Sequence, residues 1–465
     1  MATRTYQSRI DAPPGKVFDW HARPGAFERL TPPWAPVRLE SSEGVSDGAQ
    51  AVLRIGPGPL AVRWVAEHQE VIQGEQFVDR QVTGPFRSWK HLHRMESLDG
   101  DATRLIDHLE YEPPFGEIGH LLNDFFGGPE LDRQFAYRHR ITQQDLSLHR
   151  EMNPGERTLR IAVSGTSGLI GSALCAFLTT GGHDVYRMVR SRPVQAEEIY
   201  WNAEEGEIEA DKLEGLDAVI HLAGESVFGL WTQRKKERIY ESRAKGTRMI
   251  AEAIAGCTAP PSVFISASGI SYYGEQGSTR VTDDIISKGG GFLPAVVRAW
   301  EGAADAARSA GVRTVHPRIG VVLTPAGGAL KVMTPAFWMG LGGRVGSPDQ
   351  YFPWITLDDV IGGIYHMLFE SSLEGPVNLC SPEPARMQDF AKTLARVMRR
   401  PAMVSVPSGV VRRVAGEMGE AMLLTSIRAI PEKLTASGYD FLYGDLESGL
   451  RHQLGRTLEP FRPGE

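Results

Sequence analysis

The stretch that decides the fold is RIAVSGTSGLIGSAL, residues 160–174. Three glycines, Gly165, Gly168 and Gly171, stand at the spacing G-x-x-G-x-x-G behind an apolar run, and a helix-compatible segment follows. In such a turn the first glycine supplies the tight bend, the second lets backbone N–H groups approach a diphosphate, and the third lets the helix pack against the strand. The spacing predicts a dinucleotide-binding turn. It differs from the usual G-x-G-x-x-G, so a plain strand-to-helix turn stays the alternative.

Length and composition limit the class of protein. A chain of 465 residues is too long for one ordinary domain, so two or three domains are expected. The net charge of -7 disfavours nucleic acid and anionic membranes as partners. Cys175, Cys257 and Cys380 lie far apart, which indicates unpaired thiols in a reducing cytoplasm. The sequence shows neither an apolar leader nor a run of about 18 apolar residues, so no signal peptide and no membrane span are expected.

Strand-like and helix-like segments alternate after the glycine turn. This alternation is typical of βαβ units, and it predicts a doubly wound α/β Rossmann domain with a parallel sheet. From about Met387 the chain is helical and apolar-periodic, which predicts a small C-terminal lobe. The predicted strands are Leu159–Val163, Val185–Val189, Ala218–Leu222, Ser262–Ala267 and Arg313–Val322, and the predicted helices are Ile170–Thr180, Trp231–Ala255 and Pro294–Ala310.

The first 145 residues have a different pattern. Apolar and polar side chains alternate between Gly, Pro and Asp clusters, as in Ala51–Ile55, Leu60–Val65 and Thr103–Tyr111, which is typical of antiparallel strands. Helical spacing occurs at Pro14–Ala22 and at Leu131–Gln144. One early helix, many strands and a long final helix predict an α+β domain in which a curved sheet grips that helix.

Several segments resemble, in the same order, the extended and atypical short-chain dehydrogenases/reductases, and more narrowly a nucleoside-diphosphate-sugar-epimerase-like family with a DUF1731-type tail. They are SGTSGLIG (164–171), DAVIHLAGES (217–226), SRAKGT (242–247), SVFISASGISYYG (262–274), HPRIGVVLTPAGGAL (316–330) and LLTSIRAIPEKLTASGYDF (423–441). The segment FDWHARPGAFERLTPPW (18–34) resembles START-like (SRPBCC) helix-grip domains. Together with the patterns above, the resemblance implies a START-like domain over 1–145, a linker over 146–157, an NAD(P)-binding domain over 158–385 and a helical tail over 386–465.

NADP is expected at the glycine turn in preference to NAD. Where an acidic residue would bind the ribose 2′-hydroxyl of NAD, the second strand ends in Arg190 and Arg192, a cationic pair suited to a 2′-phosphate. A solvated arginine pair is the alternative. The resemblance adds the HLAG turn (His221–Gly224) and further positions. The predicted cofactor-binding residues are then Gly165, Thr166, Ser167, Gly168, Leu169, Ile170, Gly171, Arg190, Arg192, His221, Leu222, Ala223, Gly224, Arg243, Ser266 and Arg318.

The chain departs from the family where the chemistry is expected. Short-chain reductases use a Tyr acid/base, a Lys that lowers its pKa and a Ser that steadies the substrate oxygen. Ser268 matches the serine, and Tyr273 and Glu225 are the candidate acids, although a core tyrosine is the alternative for Tyr273. The helix that would carry the Tyr–Lys pair has Leu293 or Pro294 at the first position and Val297 or Arg298 at the second.

No metal site is predicted. His91 and His93 lie at i and i+2 on one face of a predicted strand, and His21 is a third imidazole in the same domain. No cysteine or acidic residue stands at ligand spacing beside them, so histidines that line a pocket or face solvent are the favoured interpretation.

The expected function is an NADP-binding, atypical short-chain reductase or epimerase-like oxidoreductase. The substrate would be a small carbonyl compound or a nucleotide-sugar-like molecule, and the first domain would bind a hydrophobic small molecule, as the resemblance implies. A non-catalytic NADP-dependent sensor or scaffold is the alternative, because the Tyr–Lys pair is missing. Neither nucleic acid nor a membrane is an expected partner, and a homodimer is left open.

Overall fold

The computed structural model describes residues 1–114, 127–286 and 289–457. Three parts of the predicted domains, residues 115–126, 287–288 and 458–465, lie outside the described residues. The described chain divides into two compact units, one built mainly from residues 1–156 and the other mainly from residues 157–454.

The first unit contains a seven-stranded antiparallel sheet. The strands are β1 (Ala2–Ile10), β2 (Val37–Ser42), β3 (Gln50–Ile55), β4 (Val62–Ile72), β5 (Gln76–Thr83), β6 (Ser88–Leu98) and β7 (Ala102–Glu112), and the helices are α1 (Pro14–Ala22), α2 (Ala26–Leu30) and α3 (Gly128–Met152). Strands β2 to β7 pair in chain order, and β1 pairs with β7, which gives the order β1-β7-β6-β5-β4-β3-β2.

The long helix α3 packs its apolar side against this sheet. Phe135 and Ile141 are buried, and the Phe135 ring stacks on Tyr6 of β1 with ring centroids 4.5 Å apart. Arg29 forms a buried, two-pronged ion pair with Asp145 of α3, at 2.8 and 2.7 Å. The helix-grip prediction is confirmed. The predicted linker over 146–157 is corrected, because α3 continues to Met152 through most of that stretch.

The second unit is a Rossmann fold. The strands are β8 (Arg160–Ser164), β9 (Asp184–Val189), β10 (Glu198–Asn202), β11 (Glu207–Ile208), β12 (Ala218–His221), β13 (Val263–Ser266), β14 (Ser268–Gly269), β15 (Arg280–Val281), β16 (Arg313–Ile319), β17 (Val321–Leu323), β18 (Tyr351–Phe352), β19 (Trp354–Thr356), β20 (Gly375–Leu379), β21 (Ala385–Arg386) and β22 (Arg428–Ala429). Six strands run parallel in the order β10-β9-β8-β12-β13-β16, and a seventh, β20, pairs with β16. The strand order therefore reverses beside β8, the strand that precedes the glycine turn.

Helices cover this sheet and form the C-terminal lobe. They are α4 (Leu169–Thr180), α5 (Gln233–Ala255), α6 (Phe292–Gly302), α7 (Asp305–Ser309), α8 (Gly328–Trp338), α9 (Leu357–Phe369), α10 (Met387–Met398), α11 (Ser408–Gly419), α12 (Glu432–Ala436) and α13 (Leu446–Gln453). Among the described residues, no helix combines the length and the apolar character that a membrane span needs.

Two predicted elements are each divided in the structure. The helix predicted over Pro294–Ala310 breaks after Gly302, a residue with low helix propensity, into α6 and α7. The strand predicted over Arg313–Val322 breaks at Gly320, which lies against the next segment so closely that a Cβ there would be 2.5 Å from the carbonyl oxygen of Pro353. The break directs the chain out of the central sheet and into the C-terminal lobe.

Candidate functional site

The glycine turn between β8 and α4 leaves no room for side chains at two positions. Gly165 has φ +73°, and a Cβ there would lie 2.9 Å from the backbone nitrogen of Ala223. A Cβ on Gly171 would lie 2.2 Å from the carbonyl oxygen of Gly165. The Gly168 amide donates to that same carbonyl at 2.9 Å, which closes the turn. The glycines therefore meet backbone, as the predicted tight turn requires.

A serine at the end of β8 joins the glycine turn to the HLAG turn that follows β12. The Ser164 oxygen accepts the amides of Leu222 and Ala223 at 3.1 and 3.3 Å, and it lies 2.6 Å from Nδ1 of His221. Since the oxygen already accepts two amides, its hydrogen donates to the imidazole. Burial lowers the pKa of His221 to about 3, so the ring stays neutral and keeps this acceptor. The two turns are thus held together at adjacent strand ends.

The geometry of the turn fits the diphosphate of a dinucleotide. The first N–H groups of a helix have no partner within the helix, and α4 begins at Leu169, directly behind the glycines. Thr166 is partly exposed, and Ser167 and Gly168 are exposed, so a ligand can reach this end of the helix. Ile170, in the first turn of α4, is also partly exposed. Bare amides at the positive end of a helix dipole form an anion-binding site.

Arg190 and Arg192 follow β9, the strand next to β8. Both side chains belong to exposed residues, and within the described ranges neither has an ion-pair partner. Their place at the end of the second strand is the one where the sequence predicts contact with a 2′-phosphate.

Arg243 and Glu225 contribute mainly to the loop that follows the HLAG turn. Arg243 donates to the backbone oxygen of Glu225 at 2.9 Å and lies 3.2 Å from where a Cβ of Gly224 would stand. The Glu225 carboxylate accepts from Lys235 at 2.6 Å, and this bond holds its pKa below the ordinary value. A carboxylate held in this way is a poor proton donor at neutral pH, so the structure gives no support for Glu225 as a general acid.

Ser268 lies at the end of a buried polar chain. Its hydroxyl donates to Glu301 of α6 at 2.6 Å, and Glu301 accepts two bonds from Arg318 of β16, at 2.8 and 2.9 Å. Burial opposes ionisation of Glu301, but the Arg318 guanidinium holds the pKa of that carboxyl below its ordinary value. The sequence predicts that Arg318 contacts the cofactor. In the structure Arg318 is 2 % exposed and its guanidinium is hydrogen-bonded to Glu301. Sequence reasoning missed Glu301 altogether.

Tyr273 is enclosed by the same chain of contacts. Its hydroxyl accepts from Arg318 at 3.0 Å and lies 2.8 Å from both the carbonyl oxygen of Thr282 and Oδ1 of Asn378. The residue is 0 % exposed, and burial raises its pKa to about 12. These contacts are those of a core tyrosine. Its catalytic role stays a prediction that would require a rearrangement of the hydroxyl's partners.

The face of α6 where a Tyr–Lys pair would stand is apolar. Leu293, Pro294 and Val297 are all buried, and Val297 packs 3.7 Å from where a Cβ of Gly269 would stand, beside Ser268. Arg298 points elsewhere and donates to the backbone oxygen of Gly289 at 3.1 Å. The helix therefore brings neither a proton donor nor a cation to the serine.

Ser266 lies at the carboxyl end of β13, next to His221 in the register of the sheet. Its hydroxyl is buried and has no hydrogen-bond partner among the residues that the structure describes. A buried hydroxyl without a partner costs free energy, so this oxygen is available to a ligand at the strand ends. This is consistent with the prediction that Ser266 contributes to the cofactor site.

A cavity of about 390 Å³ adjoins Glu301 and Arg318 of the Ser268 chain. It is lined by Tyr272, Asp283, Glu301, Arg308, His316 and Arg318, among others, and the Arg318 guanidinium lies 3.5 Å from the Tyr272 ring centroid. Of the predicted cofactor residues it includes Arg318 and none of the glycine turn. The cavity is thus a separate feature of this unit from the glycine turn.

Asp358 and Asp359, at the start of α9, hold the C-terminal tail. Asp359 accepts the amides of Leu442 and Tyr443 at 2.8 and 3.2 Å, and Asp358 accepts from Gln453 at 2.8 Å. Burial raises the pKa of Asp359 to about 7. The side chain that caps α9 is Thr356. These contacts describe a structural role for both aspartates.

The fold and the glycine turn define a dinucleotide-binding protein of the Rossmann class that carries a helix-grip domain in front. Comparisons with known families give the same order of domains. Residues 10–134 match polyketide cyclase/dehydrase and lipid transport proteins, 161–379 match the NAD dependent epimerase/dehydratase family, and 406–453 match the domain of unknown function DUF1731.

Curated relatives confirm the resemblance over the second unit. Epimerase family protein MT2273 of Mycobacterium tuberculosis is 38 % identical over 297 residues, which are 64 % of this chain and 98 % of that protein. Epimerase family protein SDR39U1 of Homo sapiens is 34 % identical over 298 residues, 63 % of this chain and 99 % of that protein. The chain belongs to the NAD-dependent epimerase/dehydratase family, among proteins similar to SDR39U1.

Solved structures support the same assignment. A nucleoside-diphosphate sugar epimerase from Corynebacterium glutamicum aligns with 97 % of this chain and 90 % of its own, at a TM-score of 0.80 and 29 % identity. Human SDR39U1 isoform 2, solved with NADPH, aligns with 63 % of this chain and 98 % of its own, at a TM-score of 0.58 and 32 % identity.

Proposed function

We propose that this protein is an NADP-dependent oxidoreductase or epimerase-like enzyme that acts on a small carbonyl compound or a nucleotide-sugar-like substrate. The observation that carries the proposal is the glycine turn, in which Gly165 and Gly171 meet backbone and Ser164 ties the HLAG turn alongside. The human relative solved with NADPH supports NADP as the cofactor. A bound nicotinamide would supply or accept the hydride.

The residues of this chain have separate tasks in the proposal. The amides at the start of α4 bind the diphosphate, Arg190 and Arg192 bind the 2′-phosphate, and the buried Ser266 hydroxyl contacts the ligand at the strand ends. Ser268 would turn its hydroxyl from Glu301 towards a substrate oxygen. The first domain would take up a small molecule with an apolar part, since it shares the family model of lipid transport proteins.

A specific observation favours a second candidate, an NADP-dependent sensor or scaffold without turnover. Where the family's proton-transfer pair would stand, α6 offers Leu293 or Pro294 and then Val297 or Arg298, none of which moves a proton at neutral pH. The Tyr273 hydroxyl is enclosed by Arg318 and Asn378. Such a protein would keep the cofactor site and lack the groups that move a proton to the substrate.

Cofactor turnover distinguishes the two candidates. Purified protein is loaded with NADPH or NADP, and absorbance and fluorescence of the bound nicotinamide are followed against a library of carbonyl compounds and nucleotide sugars. Turnover that Ser268→Ala abolishes, while NADPH binding is kept, supports the enzyme. Tight binding without turnover across the library supports the sensor.

The choice of NADP is tested at the end of β9. Arg190→Ala with Arg192→Ala should weaken NADPH at least tenfold and leave NADH within about twofold, since one charge-assisted phosphate contact contributes about 1.5–3 kcal/mol. Arg187→Ala, an exposed arginine on the same strand, is the matched control. An equal loss for both cofactors, measured by calorimetry, would contradict a 2′-phosphate contact.

A further inference from the structure

The interior of the first unit contains a cluster of imidazoles and carboxylates contributed by four adjacent strands. His68 (β4) pairs in register with Asp79 (β5), Asp79 with His91 (β6), and His93 (β6) with Asp107 (β7). His91, His93 and Asp107 are 3 to 5 % exposed. Charged and titratable groups are rarely placed in a domain core unless they are paired or bind a ligand.

Three of these side chains direct ligand atoms towards one point. One atom from each of Asp79, His91 and His93 lies within 4.8 Å of the other two. Asp79 Oδ2 is 3.1 Å from His93 Nε2 and 4.0 Å from His91 Nδ1. Ligands about 2.1 Å from a tetrahedral ion stand roughly 3.4 Å apart, and the two distances lie on either side of that spacing.

A second layer of contacts orients the three candidate ligands. Asp107 Oδ1 lies 2.8 Å from His91 Nε2 and also 2.8 Å from His93 Nδ1, the ring nitrogens that face away from Asp79. His139 of α3 supports Asp107 from behind at 2.5 Å. A carboxylate on the rear nitrogen of each histidine is the usual second layer of a metal site, where it fixes the tautomer and makes the front nitrogen a better ligand.

Hydrogen bonds already join the cluster, so a metal ion would replace one of them. His93 Nε2 lies 3.1 Å from Asp79 Oδ2, and the proton between these two atoms stands where the ion would bind. His91 Nδ1, 4.0 Å from the same oxygen, is beyond hydrogen-bond distance. An ion that binds all three atoms would add the His91 nitrogen to the set and release the proton from His93.

We propose that Asp79, His91 and His93 form a binding site for a divalent first-row transition-metal ion, with Asp107 as the outer carboxylate. Two imidazoles and one carboxylate leave coordination positions open, as in catalytic zinc and non-haem iron sites. The Asp79 side chain is 23 % exposed, against 3 and 7 % for the two histidines, so the ion and a further ligand approach from its side. Two carboxylates balance the charge of the ion.

Metal uptake by the full-length protein tests the site. Protein freed of metal by a chelator is titrated with Co²⁺, followed by visible absorption, and with Zn²⁺, followed by calorimetry. We expect one equivalent to bind to the wild type, and His91→Gln, His93→Gln and Asp79→Asn each to lower the affinity at least 100-fold. Asp107→Asn keeps all three ligands and should lower the affinity 10- to 100-fold.

The control is His108→Gln, a histidine of β7 that contacts Thr5 and Glu110 and lies outside the cluster. It should bind metal like the wild type. Far-ultraviolet circular dichroism and thermal unfolding show whether each variant is folded, and Asp107→Asn, which keeps all three ligands, keeps the test decisive if a ligand variant unfolds. Absence of saturable uptake by the wild type, or uptake unchanged in the His91 and His93 variants, would overturn the proposal and leave a buried network of histidine–carboxylate hydrogen bonds in its place.

Discussion

The glycine turn and the surroundings of Ser268 stand at the carboxyl ends of strands in the same sheet, yet they are assembled in different ways. The turn is built from residues adjacent in sequence, Gly165 to Gly171, and two of its three glycines, Gly168 and Gly171, pack against the turn's own backbone. Ser268 instead meets Glu301, which in turn meets Arg318, and each of these comes from a different element. The first region can therefore be recognised from the sequence as a motif, whereas the second depends on which helix packs against which strand.

The difference has a chemical consequence. The family's proton-transfer pair would face Ser268 from α6, and this chain places Val297 there instead. The carboxylate of Glu301, one turn further along the same helix, takes the serine's hydrogen bond, and Arg318 neutralises it. The glycine turn has the geometry of a dinucleotide site, whereas the surroundings of Ser268 form a buried ion-pair network.

The largest expected effect is in that network. Arg318→Met leaves Glu301 buried without its ion-pair partner, which should lower the free energy of unfolding by about 3–5 kcal/mol. Urea unfolding measures it. Arg298→Met, which removes an exposed arginine of α6, is the matched control and should change stability by less than about 0.5 kcal/mol. Equal small effects would mean that the network is not a structural unit.

The next effect tests the glycine turn. A Cβ on Gly171 would stand 2.2 Å from the Gly165 carbonyl oxygen, so Gly171→Ala should displace the turn, cost up to about 3 kcal/mol and weaken NADPH binding more than tenfold. Gly302→Ala has no atom within 4 Å of the added carbon and serves as the control, which should keep NADPH binding unchanged. Calorimetric titration of both variants decides; unchanged NADPH binding in Gly171→Ala would contradict a close-packed turn.

A smaller, pH-dependent effect concerns the bond between the two turns. Burial lowers the pKa of His221 from 6.5 to about 3, so its contribution to stability is complete above pH 6.5 and is lost as the pH falls towards 3. His221→Asn keeps an acceptor for Ser164 and cannot take up the proton. Between about pH 7.5 and pH 5 the wild type should lose about 2 kcal/mol more than the variant. The free energy of unfolding is measured by denaturant titrations at several pH values. If the wild type and the variant lose the same amount, the pKa of His221 is not lowered in the folded protein.

The histidines of the first unit show where sequence reasoning reached its limit. The sequence places His91 and His93 on one face of a strand and has no acidic residue at ligand spacing beside them. Asp79 and Asp107 supply that partner from the neighbouring strands, with oxygens 3.1 and 2.8 Å from His93. Cross-strand neighbours depend on register, which a spacing rule along one segment does not contain.

The sequence by itself determined the order of the α+β and α/β domains, the parallel sheet and the glycine turn, because periodicity and glycine spacing act within a few residues. The loss of the Tyr–Lys pair followed from the resemblance to the short-chain dehydrogenases/reductases. The tertiary structure alone decided that helix α3 runs through the predicted linker and that the Ser268 hydroxyl donates its hydrogen bond to Glu301. It likewise decided that Tyr273 is enclosed and that two aspartates face the paired histidines. Packing brings together groups that are far apart along the chain, and in the interior each buried polar group must find its partner there.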